Sequence, residues 1–283
     1  MNAKVHVVTD SACDLPPEII REWDISVVPL VVRFGSEVYT DDELSTDAFW
    51  ERAAGPEPPY SSQPPVGAFE KVFEQAIQAE KQVVCITVTS KHSGTFNSAS
   101  TAAQRFGDAV HVFDSLSLSV GEGMLTIAAA KAAREGHSAE EIVEILTELR
   151  DRLQVFILLD TLEHLRRGGR ADRFIRALDL VASTFNIKPI INVVDGELRL
   201  MSVVRSFRTG LERLLQSVEE LGPVEGLGVI HTRRREMAIE IADTLASRLD
   251  FPREEILVRE ACSALSSHAG AGTIGVAIFS QRK

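Results

Sequence analysis

A chain of 283 residues with 45% hydrophobic content can bury the cores of one large or two ordinary domains, which excludes a disordered or fibrous polypeptide. It carries 41 acidic and 30 basic residues, a formal net charge of -11. Such a surface repels nucleic acid and anionic membranes, so neither is an expected partner.

Short β-branched runs alternate with longer stretches of helical periodicity, the pattern of an α/β fold with a largely parallel sheet. Strands are predicted at Val5 to Thr9, Ser26 to Phe34, Val83 to Val88, Ala109 to Asp114 and Val155 to Leu159. Amphipathic helices are predicted at Val66 to Ala79, Thr95 to Phe106, Gly121 to Glu135 and Ala139 to Asp151. Residues 1–157 therefore read as one αβ layer, Rossmann-like domain. After Asp160 the basic segment LRRGGRADRF leads into a helical stretch, Ile175 to Phe185. Lys188 to Val194 and Leu198 to Val204, joined by Asp195-Gly196, form a hairpin pattern. A helix from Thr209 to Leu221, a strand from Gly226 to His231 and a helix from Arg234 to Leu249 follow. Strands at Ile256 to Glu260 and Ile274 to Phe279 complete an α+β second domain spanning 158–283.

Three loops carry chemistry. In VVCITVTSKHSGTFNSA, Ser93-Gly94-Thr95 stands between a buried strand and a helix. Unpaired N–H groups and the positive end of the helix dipole make such a start a seat for an anion. The same residues also read as an ordinary helix cap, and the two roles are compatible. In PPYSSQPPVGAF, prolines hold Ser61 and Ser62 in an extended loop ahead of a helix, again a site or a cap. In SSHAGAGTIGVAIF, His268 heads a Gly-rich loop that contains a literal G-x-G-x-x-G. A dinucleotide site needs a following helix and an acid about 20 residues on, so this match carries no nucleotide meaning.

Arg166, Arg167, Arg170, Arg173 and Arg176 form the densest basic region, either a solvated face or a surface for an anionic partner or head group. Cys13, Cys85 and Cys262 are odd in number and widely spaced, which suits a reducing cytoplasm and neither disulfides nor zinc. The first residues lack a signal peptide's apolar segment, and no run reaches the roughly 18 apolar residues of a spanning helix. The expected location is cytoplasmic. Asp10, Asp14, Asp41, Asp42 and Glu43 match no metal-binding loop and read as hydroxyl caps and surface acids, so no cofactor or metal is expected.

VTDSACDLP, SSQPP, SGTFNSA, FDS at 113–115, LRRGGR, NIKPII and the terminal HAGAG, taken in order from Val8 to Phe279, resemble the DegV family. The resemblance implies two domains with a long-chain fatty acid, such as palmitate, in a tunnel between them. It also implies that the chain catalyses nothing itself but presents the carboxylate to a separate fatty acid kinase. By position Ser61 resembles the family's Thr in T-S-Q-P, Ser93 the Ser of S-G-T, and His268 the His of H-T-G-P-G. Arg170 and Arg205 resemble basic positions near the head group or partner surface. Ser61 lacks the methyl that stiffens a threonine rotamer, and Ala269 and Ala271 replace Thr and Pro in the loop.

The expected ligand set is therefore Ser61, Ser62, Ser93, Gly94, Thr95, His268, Arg170 and Arg205. Burying an acyl tail at about 0.8 kcal/mol per methylene supplies affinity, and the carboxylate supplies orientation. The alternative is a hydrolase of acyl esters or small phosphoesters, with Ser93 as nucleophile and His268 as base.

Overall fold

Valine, isoleucine and threonine dominate the first strands because β-branched side chains suit a sheet buried on both faces. The computed structural model describes residues 4–167, 175 and 187–281. The chain divides into two compact units, Met1–Asp151 with Cys262–Ala264, and Arg152–Ala261 with Leu265–Lys283.

The first unit holds strands β1 (Val5–Asp10), β2 (Ser26–Val28), β3 (Val31–Phe34), β4 (Glu37–Thr40), β5 (Pro59–Ser62), β6 (Gln82–Thr87) and β7 (Val110–Asp114). Its helices are α1 (Pro17–Glu22), α2 (Thr46–Ala53), α3 (Val66–Gln78), α4 (Thr95–Ala103) and α5 (Val120–Glu135), and α6 (Ala139–Arg152) closes it. A parallel sheet runs β2-β1-β6-β7, and a separate antiparallel sheet runs β4-β3-β5. Val8, Val83 and Cys85 share a buried cluster with Phe69 and Phe73 of α3 and with Ala99 and Ala102 of α4. Helix α5 packs on β1 and β6.

The single strand expected from Ser26 to Phe34 is two strands in two sheets. Pro29, which has no N–H to give a ladder, interrupts it. Leu30 N–H then donates to Ser11 Oγ at 3.0 Å, which directs the chain into the second sheet.

The second unit holds β8 (Leu153–Leu158), β9 (Lys188–Val194), β10 (Glu197–Val204), β11 (Val224–His231), β12 (Leu257–Glu260) and β13 (Ile274–Ser280). They form one mixed sheet in the order β10-β9-β8-β13-β11-β12. The strand predicted at Val155 to Leu159 belongs here because both its neighbours, β9 and β13, do. The expected hairpin around Asp195-Gly196 forms as read. Helix α7 (Glu163–Arg167) follows β8. Helices α8 (Phe207–Glu219) and α9 (Arg235–Leu249) contribute Leu214, Leu215, Ile241 and Leu245 to a core with Phe156, Val229 and Val276. A short helix, α10 (Ser263–Ala269), precedes β13. A second apolar layer joins Leu159, Leu162, Leu165 and Ile191 to the partly buried Ile157, Ile187, Leu198, Leu200 and Val203. Apart from Ile175, the helix expected at Ile175 to Phe185 lies outside the described residues.

Candidate functional site

Strand β6 ends at Thr87, and the chain crosses to α4 through residues 88–94. Two aspartates that end the strands on either side of β6 hold this crossing. Asp10 at the end of β1 accepts the Val88 N–H at 2.8 Å, and Asp114 at the end of β7 accepts the Ser90 N–H at 3.1 Å. Thr89 N–H adds a bond to Ser117 O at 2.8 Å. A backbone tied at three successive residues delivers Ser93 to the start of α4. There Ser93 Oγ accepts the Thr95 N–H at 3.3 Å and lies 2.8 Å from Thr95 Oγ1. Ser93 thus precedes the Gly94 N-cap and closes a turn onto Thr95, and its hydroxyl stands beside a helix N-terminus suited to an anion.

Ser61 and Ser62 do not lie in a loop, as the flanking prolines had suggested. They end β5, where Ser61 pairs with Val32 and Ser62 with Val31. Successive strand residues face opposite ways, so the two serines point to opposite faces. Ser61 lies on the face of fully buried Val32 and is half-buried, whereas Ser62 is exposed. The serine segment reaches the Ser93 turn through Gln63. A Cβ built on Gly94 would stand 2.9 Å from the Gln63 side chain, so the absence of a side chain at 94 lets the two segments close.

His268 likewise occupies the last turn of α10 rather than a loop, and is half-buried. Around it in the second unit, the His164 ring bonds the Ser267 backbone. Burial, and then the Arg167 charge, hold the His164 pKa below its ordinary value. Gly270 and Gly272, both with positive φ, turn the chain into β13. A strand, β13, follows the glycines. Arg205 is exposed between β10 and the Ser206 cap of α8, and Arg170 lies outside the described residues.

Of the early acids, read as caps and surface acids, three are not surface groups, and Asp10 is a cap that accepts the Ala12 N–H at 2.9 Å. Asp10, Asp14 and Asp41 are buried, whereas Asp42 and Glu43 are exposed. Asp14 Oδ1 accepts the Cys262 N–H at 2.8 Å, and its other oxygen accepts the Ser119 hydroxyl. Asp41 Oδ1 accepts the Ala264 N–H at 3.2 Å, and its Oδ2 accepts the Ser11 hydroxyl at 2.8 Å. Sequence reasoning also passed over Glu122, which is fully buried on α5 and accepts the Thr9 hydroxyl at 3.1 Å. Burial pushes the Asp10 carboxyl up to about 7. Burial, and then the Asp10 charge, push Glu122 well above the carboxylate range. One signal was legible: β1 and β7 both end in an Asp followed by Ser, an acid placed where a strand gives way to a turn.

Among the described residues no group of three or more His, Cys, Asp or Glu could hold a metal ion, and no helix is long and apolar enough to cross a membrane. Fold and site together define a two-unit α/β protein with hydroxyls and backbone N–H groups gathered at one helix start. The chain belongs to the DegV family, as the resemblance in its motifs had implied: the family profile "Uncharacterised protein, DegV family" matches residues 4–281.

A DegV domain-containing protein of Caldanaerobacter subterraneus subsp. tengcongensis is 32% identical over 278 residues, covering 96% of this chain and 98% of the relative. A solved structure described as fatty acid binding of a DegV family protein from Thermus thermophilus is 28% identical. It superposes with a TM-score of 0.87 and covers 98% of this chain and 100% of its own. DegV of Bacillus subtilis, described as a fatty acid binding protein, is 28% identical with a TM-score of 0.86, over 98% of this chain and 100% of its own.

Proposed function

We propose that this protein binds one long-chain fatty acid, with the carboxylate received by Ser61, Ser93 and His268 and by the N–H groups at Gly94 and Thr95. The observation that carries the reading is the meeting of the Ser61 strand with the Ser93 turn through Gln63 and Gly94. A carboxylate leaving water needs several hydrogen bonds, and this arrangement offers hydroxyls and helix-start N–H groups in one place. Family relatives described as fatty acid binding support the choice of ligand. The half-buried aliphatic layer of Ile157, Leu198, Leu200 and Val203 is apolar surface of the kind that an acyl tail requires. In this reading Ser62 is not a ligand, because it points away from Ser61.

The chain performs no chemistry of its own and presents the bound carboxylate to a separate ATP-dependent kinase, with Arg205 and the basic segment around Arg170 near the head group or the kinase surface. Purified protein, denatured and extracted, is expected to release a fatty acid by mass spectrometry. Protein that is empty and also fails to take up added palmitate overturns the reading. Acyl phosphate formed from palmitate and ATP only when a kinase catalytic subunit is added tests the presentation role separately.

A further inference from the structure

We propose that Asp14 and Asp41 are positioning residues for the fatty acid site, holding the start of α10 so that its last turn presents His268. This inference rests on the reading of His268 as a carboxylate ligand. Helix α10 is only seven residues long, too short to stand in water by itself, and its first N–H groups need acceptors. Those acceptors come from the opposite end of the chain: Asp14 takes the Cys262 N–H across 248 positions of sequence, and Asp41 the Ala264 N–H across 223. A carboxylate at a helix start also meets the favourable end of the helix dipole.

Each carboxylate is itself fixed. The second oxygen of Asp14 holds Ser119, and that of Asp41 holds Ser11, whose Oγ in turn takes the Leu30 N–H. At 6% and 7% exposure, both aspartates are buried. Ala264 and His268 stand four apart in one helix, one above the other on the same side. Asp41 bonds the Ala264 backbone N–H, so it fixes where the helix begins, and His268 lies one turn further along that same helix. Neither aspartate needs to touch the ligand for this to hold.

The test is a double-mutant cycle on the full chain, with palmitate affinity read by displacement of a fluorescent fatty acid and folding checked by circular dichroism. Asp41→Ala is expected to weaken palmitate by roughly tenfold when His268 is present and by less than about twofold in a His268→Ala background. Asp14→Ala is expected to behave alike. Asp41→Asn keeps an acceptor oxygen and is expected to restore most of the loss; it also carries the cycle should the alanine variant not fold. Equal losses with and without His268 show that the aspartates only stabilise the fold, and overturn the inference. No loss in either background overturns it as well. Failure of the parent reading looks different: His268→Ala alone then binds palmitate as tightly as the unaltered chain.

Discussion

Ser61 and Ser62 are adjacent, identical and equally plausible in the sequence, yet the pleat of β5 turns one inward and the other out. Ser61→Ala is expected to weaken palmitate by about ten- to a hundredfold, the range for a hydrogen bond to a charged group, while Ser62→Ala changes it less than about twofold. Isothermal titration of both variants decides the matter, and equal effects refute the assignment of faces. The turn at Ser93 was legible as a cap or an anion seat, since a small polar residue between a buried strand and a helix suits either role. The burial of Asp14 and Asp41 was not, because their partners at 262–264 are more than 200 residues away.

At the scale of elements, α3 and α4 announced themselves through apolar periodicity, and β1, β6 and β7 through valine and isoleucine, whereas α5, read as amphipathic, is buried on nearly every side from Val120 to Thr126. Short elements with distant partners escaped: β4 and β5 exist by pairing with β3, and α10 begins on the carboxylates of Asp14 and Asp41. Close approach between elements gives two contrasting glycine tests. A Cβ on Gly123 of α5 would lie 2.5 Å from the Cys13 carbonyl oxygen, a backbone atom that cannot swing aside. Gly123→Ala is therefore expected to cost about 1–3 kcal/mol in urea denaturation. At Gly94 the nearest atoms belong to the flexible Gln63 side chain. Gly94→Ala is expected to leave stability nearly unchanged while disturbing ligand affinity, and Gln63→Ala in the same chain should restore that affinity.

For the molecule as a whole, the buried acids set how stability responds to pH. Asp10, raised to about 7, and Glu122, raised well above its ordinary value, both hold protons in the folded chain that the unfolded chain has released. The contribution of Asp10 is therefore fully present below the unfolded carboxylate range and is lost as pH rises toward and through about 7, and that of Glu122 is lost as pH rises through its own raised folded value. The melting temperature is expected to fall from pH 5 to pH 8, each such proton contributing a slope of at most about 1.4 kcal/mol per pH unit. Glu122→Gln should flatten that fall, and an unchanged slope in the variant contradicts the assignment. By itself the sequence determined the α/β class, the main helices, the hairpin, the family and the serine-bearing helix start, because each is written in local periodicity or in a short run of residues. Only the tertiary structure decided which serine faces inward, which acids are buried and what holds the helix of His268, because those depend on strand register and on partners brought together from opposite ends of the chain.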